Sequence, residues 1–103
     1  MYKEYHPLPK FLTIKESPIH GLGLFATEKI DKGVNLGKSH YATESEIIRT
    51  PLGGFPNHSD DPNIKIKRMK KTRYFYIITL RVINPGEELT GKYMSLKQKK
   101  NVI

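Results

Sequence analysis

The sequence has 103 residues, the size of one domain with a modest core, and it contains no cysteine. The lack of cysteine excludes a disulfide framework and a thiolate zinc cluster. The formal net charge is +8, so the protein carries a positive field that attracts anionic partners. No apolar run resembles a signal peptide or reaches membrane-spanning length. We therefore expect a soluble intracellular protein, whose compartment the sequence leaves open.

The positive charge is concentrated in two segments. Six cations fall within residues 65–73, a segment that we call the basic hairpin: Lys65, Lys67, Arg68, Lys70, Lys71 and Arg73. A second cluster comprises Lys97, Lys99 and Lys100. Two interpretations stay open, a solvated hairpin and tail or a surface that binds nucleic acid or an acidic protein.

Short strand signals follow an extended N-terminal arm of residues 1–10. They are runs rich in β-branched and aromatic residues, separated by Gly, Pro and Asn, at residues 11–15, 24–26, 34–36, 64–67 and 74–82. The last two runs flank a short turn and predict a β-hairpin. We expect the ten aromatic residues to supply much of the packing. Tyr74 and Tyr76, beside the basic hairpin, could stack on bases, although such residues in a strand are more often core residues.

One short helix is predicted at residues 43–49. Thr43 stands at the N-cap position with Glu46 three residues later, which is the capping-box pattern, and Pro51 would end the helix. Residues 94–103 are a basic tail with weak helical potential. The pattern as a whole predicts a single, mostly β domain.

Residues 53–63 are expected to form a loop, because two Gly, two Pro, two Asn and two Asp surround a single Phe55. Residues 17–26 and 85–93 are two further unusual loops. The Gly-x-Gly in the first lacks the third glycine and the following helix of a dinucleotide-binding fold. Taken one at a time, the Gly-x-Gly indicates a simple turn, Asn57-His58-Ser59 is typical of turn chemistry, and Glu87-Glu88 is typical of ordinary surface. Pro62 and Asn63 are expected to shape the turn that ends the second loop.

Metal binding and hydrolysis are disfavoured. The four histidines, at positions 6, 20, 40 and 58, show no close ligand spacing, so we expect no metal site. Serine and histidine are present, but without a nucleophile-elbow motif or an orienting acid at a familiar spacing.

The three loops, taken in order, resemble those of the SET-domain family. Residues 17–26 resemble its N-terminal Gly-x-Gly segment, residues 57–63 its Asn-His-Ser-x-x-Pro-Asn loop, and residues 85–93 its Gly-Glu-Glu-Leu-Thr-x-x-Tyr segment. The resemblance covers about residues 11–93. It implies a SET-like β-clip fold of short strands, with one short helix and a C-terminal segment that threads beneath a loop as a pseudoknot.

The resemblance also implies a function, S-adenosylmethionine-dependent protein lysine N-methyltransferase. The residues that match the family's cofactor contacts are Gly21, Leu22, Gly23, Leu24, Asn57 and His58. In the family, the Gly-x-Gly backbone cradles the methionine part, the asparagine binds the amino-acid end, and the histidine meets the adenine chiefly through its main chain. Tyr93 matches the catalytic tyrosine.

Two departures from the family pattern leave an alternative open. Residues 38–55 are short compared with the family insert that builds one wall of the lysine channel, and Gly91 stands where many members carry an aromatic. The substrate groove is then open, or a homodimer completes it. The alternative function is a catalytically silent SET-like binding module that docks on nucleic acid or an acidic partner through the basic hairpin.

Overall fold

The computed structural model describes residues 8–92, which form two four-stranded β-sheets and one short helix. Most of the N-terminal arm, Tyr93 and the basic tail lie outside these described residues. No helix within residues 8–92 is long and apolar enough to cross a membrane.

The elements are short, as the frequent Gly and Pro residues require. The strands are β1 (Leu12–Glu16), β2 (Leu22–Ala26), β3 (Asn35–Ala42), β4 (Ile47–Arg49), β5 (Asn57–His58), β6 (Ile64–Arg68), β7 (Tyr74–Thr79) and β8 (Glu88–Gly91), and the helix is α1 (Pro51–Gly54).

The first sheet joins strands from both ends of the described chain in the order β1-β2-β8-β5. β1 and β2 form an antiparallel hairpin, and β8 adds to β2 with Leu24 opposite Leu89. β5 then pairs with β8 in parallel, Asn57 opposite Thr90 and His58 opposite Gly91. Because β8 lies between β2 and β5, the three loops that the sequence singles out meet at this sheet.

The second sheet has the order β4-β3-β7-β6 and is antiparallel throughout. The predicted hairpin is present as β6 and β7. Along β7, buried Phe75, Ile77 and Thr79 alternate with half-buried residues, which is the pattern of a strand with one face on a core. β7 ends at Thr79, earlier than predicted, since the chain then turns to pair Ile83 with Ile30.

The core between the sheets is mainly aliphatic. Among the described residues, the main apolar cluster comprises Leu12, Leu24, Ala26, Ile30, Leu36, Leu52, Ile64, Ile77, Ile83 and Leu89. Aromatic residues add to this core, since Phe25 and Phe75 are buried and the half-buried Phe11 and Phe55 pack against the aliphatic cluster. Tyr74 and Tyr76 are only half-buried and lie on the opposite face of the sheet from Phe75.

The prediction of a helix at residues 43–49 is wrong. The Thr43 hydroxyl does accept a hydrogen bond from the Glu46 N–H, at 3.0 Å, but the Thr43 N–H also donates to the Glu46 carbonyl, at 2.8 Å. The pair therefore closes a tight turn, after which residues 47–49 form β4 against β3. The helix begins at Pro51 instead, with Thr50 as its N-cap, because proline needs no N–H partner in the first turn.

Two other boundaries differ from the predictions. The strand expected at residues 34–36 is the eight-residue β3, which extends because both β4 and β7 pair with it. Residues 53–63 are not wholly a loop, since α1 ends at Gly54 and β5 occupies residues 57–58. The polar composition of this segment is compatible with a two-residue strand, because the side-chain amides of Asn57 and Asn63 donate hydrogen bonds to Glu88 in β8.

Helix α1 packs directly on β3 at Gly53. A Cβ atom at this position would overlap the Ser39 carbonyl oxygen and lie 2.8 Å from Cε1 of His40. His40 is 1% exposed, and its burial, together with the charge of Arg49, lowers the pKa of its imidazole to about 4, so it is neutral at pH 7.

We expect Gly53→Ala to destabilise the fold by roughly 1–3 kcal/mol, because backbone on β3 must move to admit the methyl group. Gly54→Ala is the matched control, since no atom lies within 4 Å of a Cβ there. Urea unfolding of both variants measures the difference. Equal stabilities would contradict the close contact between α1 and β3.

Candidate functional site

The loop between β1 and β2 closes on itself through short-range hydrogen bonds. The Ser17 N–H donates to the Gly21 carbonyl at 2.8 Å, and the Ser17 hydroxyl accepts from the Ile19 N–H at 2.9 Å. Gly21 has φ +48°, in the left-handed region that glycine adopts without a Cβ penalty. This turn leads straight into β2.

Gly23, two residues later, allows the side chain of Glu88 to approach the β2 backbone. A Cβ at Gly23 would overlap Oε2 of Glu88 and lie 3.0 Å from the Ser17 Cβ. Gly23 is buried although it has no side chain to pack. The second glycine of the Gly-x-Gly segment is therefore required by a carboxylate that lies 65 positions later in the sequence.

The Glu88 carboxylate joins the three loops. It accepts hydrogen bonds from the Ser17 hydroxyl at 2.9 and 2.8 Å and from the Asn57 amide at 2.8 Å. These charge-assisted bonds are stronger than neutral ones, and the group is partly shielded from water. We call Ser17, Asn57 and Glu88 the Glu88 cluster.

The orientation of the Asn57 amide is fixed by its surroundings. Besides Glu88, its Nδ2 lies near three further oxygens: the Ser17 hydroxyl at 3.1 Å, the His20 carbonyl at 3.1 Å and the Leu22 carbonyl at 3.3 Å. Carbonyl and carboxylate oxygens only accept, so the NH₂ group must face them and share its two hydrogens among them. Asn57 therefore binds both sides of the Gly-x-Gly turn.

Asn63 fastens the other end of the Asn-His-Ser loop. It is 2% exposed, its Oδ1 accepts from the Thr90 N–H at 2.8 Å, and its Nδ2 donates to the Glu88 carbonyl at 2.8 Å. Its main-chain N–H donates to the Thr90 carbonyl at 3.0 Å. The side chain thus supplies β8 with hydrogen bonds that a neighbouring strand would otherwise make.

His58 lies in β5 beside Asn57, and its imidazole Nε2 is 3.2 Å from Oδ1 of Asp60. Its side chain is 40% exposed. Among residues 8–92, no group of three or more His, Asp or Glu side chains is arranged to hold a metal ion.

The structure brings most of the predicted cofactor residues together. Residues 21–24 and Asn57 are joined directly by the Asn57 amide, and His58 follows in the same strand. Tyr93 lies outside the described residues, two positions after β8. Ser17, Glu88 and Asn63 also organise the site, and the sequence does not predict these roles. The sequence indicates only surface for Glu88, because its partners are distant along the chain, and only a turn for Asn63.

The SET-domain family model matches residues 40–94, more than half of the chain, so the chain belongs to the SET-domain family. A comparison with curated protein sequences returned no match.

Solved structures with the same fold include several methyltransferases. A putative histone methyltransferase of Plasmodium falciparum has a TM-score of 0.70 at 20% identity, covering 84% of this chain and 95% of its own. The methyltransferase domain of human PR domain-containing protein 2 has a TM-score of 0.67 at 20% identity, with 82% and 77% covered.

A third neighbour is a chain of the Chaetomium thermophilum Polycomb Repressive Complex 2, bound to an inhibitor, with a TM-score of 0.69 at 22% identity. It covers 82% of this chain but 15% of the neighbour. The mostly β, SET-like fold expected from the three motifs is confirmed.

We expect Glu88→Gln to loosen the β1–β2 loop, because one amide cannot accept from Ser17 and Asn57 on both of its terminal atoms. Hydrogen exchange measured by mass spectrometry should show faster exchange in residues 17–24 and in 57–59.

Glu87→Gln is the matched control, since the Glu87 carboxylate contacts Asn84 and Asn63 and not the loop. Exchange in residues 17–24 should stay unchanged in this variant. Equal protection of that segment in both variants would contradict the role given to Glu88.

Proposed function

We propose that the protein is an S-adenosylmethionine-dependent protein lysine N-methyltransferase. Membership of the SET-domain family supports this, and two of the structural neighbours are named as methyltransferases. The observation that carries the proposal is the fixed Asn57 amide beside the Gly-x-Gly turn, because it leaves one defined polar atom for a ligand.

The residues present fit the methionine part of this cofactor. The Asn57 NH₂ group is directed at Ser17 and Glu88, so its Oδ1 is the atom left to accept a hydrogen bond. The ammonium group of the cofactor's methionine part is a suitable donor. No atom lies within 4 Å of a Cβ at Gly21, so there is open space beside the turn. Residues 21–24 would cradle the ligand by main-chain contact, and His58 would meet the adenine through its main chain.

S-adenosylmethionine would supply a methyl group on a positively charged sulfur, which a neutral amine can displace in line. A free lysine has a pKa of about 10.4, so the enzyme must favour the neutral amine by desolvation or hydrogen bonding. We assign Tyr93 the role of orienting that amine with its hydroxyl, since it matches the tyrosine of the family's Gly-Glu-Glu-Leu-Thr-x-x-Tyr segment. Most of the remaining rate enhancement would come from holding the amine, the methyl group and the sulfur in a line.

The charge of the protein bears on the substrate. A net charge of +8 repels a free basic peptide, so we infer that the target lysine lies in acidic surroundings. The short interval 38–55 contains most of β3, together with β4 and α1.

We predict that Asn57→Ala weakens S-adenosylmethionine binding about 10- to 100-fold in calorimetric titration, because a hydrogen bond to a charged group contributes about 1.5–3 kcal/mol. Asn84→Ala, in an exposed turn, is the control and should bind as the wild type does. Wild-type affinity in the Asn57 variant would contradict the assigned contact.

We predict that Tyr93→Phe retains cofactor binding and lowers transfer of a labelled methyl group to lysate proteins at least ~100-fold, in the range seen when one positioned donor is removed from an active site. Tyr41→Phe, in the second sheet, is the control. Cofactor binding by the wild type without labelling of any protein would instead favour the silent binding module.

A further inference from the structure

The outward face of the second sheet carries a set of tyrosines and lysines that the proposed transferase function does not use. Opposed residues of paired strands point to the same side, so the strand register assigns the members of this face. We define it as the tyrosine face, comprising Tyr41, Tyr74, Tyr76, Lys38, Lys65 and Lys67.

The tyrosine face is ordered in rows across the strands. Tyr76 on β7 lies between Lys38 on β3 and Lys67 on β6. In the next row Tyr74 is opposite Tyr41, their ring centroids 4.9 Å apart. Tyr74 and Tyr76 are about 7 Å apart along the strand. The face therefore presents adjacent aromatic rings flanked by cations.

A bulge in β3 makes this arrangement possible. The register with β7 shifts between Lys38 and His40, so Ser39 and His40 are both buried while Lys38 and Tyr41 both face outward. The Lys38 ammonium then lies 4.0 Å from the centroid of the Tyr74 ring, a cation–π contact.

The strands of the second sheet carry charge of one sign, since β3, β4, β6 and β7 contain five Lys or Arg and no carboxylate. Three of the five, Lys38, Lys65 and Lys67, lie on the tyrosine face, whereas the other two are opposite buried residues. The turn from β6 to β7 adds Lys70, Lys71 and Arg73, all exposed. The carboxylates nearest in sequence are Glu44 and Glu46, in the turn between β3 and β4.

We propose that the tyrosine face binds single-stranded nucleic acid. The lysines would contact the phosphate backbone, and the half-buried tyrosine rings would stack on unpaired bases. An acidic protein would satisfy the charge but would leave the rings without a planar partner, and a duplex hides its bases within its own stack. Both are therefore disfavoured as occupants.

This surface is separate from the Glu88 cluster. The cluster belongs to the first sheet, whereas the tyrosine face lies on the side of the second sheet that faces away from the core. Nucleic-acid binding and cofactor binding can therefore fail independently, and Asn57→Ala should leave the former unchanged.

Fluorescence anisotropy with labelled oligo-dT and oligo-rU of about 20 nucleotides tests the proposal, since such strands exceed the span that a single small domain usually covers. Tyr76→Leu should weaken binding about 5- to 150-fold, the loss expected for one stacked base, while Tyr76→Phe should stay near wild type. The lysine variants keep the proposal testable if Tyr76→Leu does not fold.

The lysines are tested with two double variants of equal net charge. Lys38→Gln with Lys67→Gln should weaken binding and reduce the slope of log affinity against log salt by about 1.4. Lys10→Gln with Lys15→Gln is the control, since Lys15 also lies over an aromatic ring, that of Phe25, but in the first sheet. It should leave affinity close to wild type.

Several results would overturn the proposal. Wild-type affinity in a folded Tyr76→Leu variant would exclude base stacking, and equal losses in the two lysine pairs would reduce the effect to overall charge. Tighter binding of a duplex, or displacement of the oligonucleotide by polyglutamate at equal charge concentration, would assign the face to a different class of partner.

Discussion

The carboxylate of Glu88 accepts hydrogen bonds from a serine 71 positions earlier and an asparagine 31 positions earlier in the sequence. Gly23 lets this carboxylate reach the β2 backbone, since any side chain there would occupy the same space. The Gly-x-Gly turn, the Asn-His-Ser loop and β8 are consequently one unit. A substitution that moves any of these three segments removes hydrogen-bond donors from the part-buried carboxylate. Each lost partner lowers the free energy of unfolding by about 1–3 kcal/mol.

Asn63 connects these three segments to the second sheet through hydrogen bonds. Its side chain bonds to the main chain of β8 on one side, and its carbonyl accepts from the Leu80 N–H at 2.9 Å on the other, just after β7 ends. An asparagine therefore holds each end of the loop between β5 and β6, and the two make different contacts. Asn57 fixes the end of the loop beside the Gly-x-Gly turn, and Asn63 fixes its attachment to the hairpin that bears the tyrosine face.

The sequence predicts elements well where local pattern and tertiary pairing agree. The β6–β7 hairpin is one such case, because β-branched alternation and a polar turn both favour it. Prediction from the sequence fails at residues 43–49, because the capping pattern of Thr43 and Glu46 fits a tight turn as well as a helix. Only the pairing of residues 47–49 with β3 decides between the two. The motif residues 21–24, 57 and 58 could be predicted to meet. The role of Glu88 could not, because its partners become neighbours only when β8 inserts between β2 and β5.

We propose that three loops, joined by Glu88, form one S-adenosylmethionine site in the first sheet. A ¹H–¹⁵N NMR titration of the wild-type protein with this cofactor tests it most directly. We predict saturable shifts of the main-chain amides of Gly21, Gly23 and His58 and of the Asn57 side-chain NH₂, with the amides of β6 and β7 unchanged. Shifts confined to the second sheet, or no shifts in a folded protein, would contradict the claim.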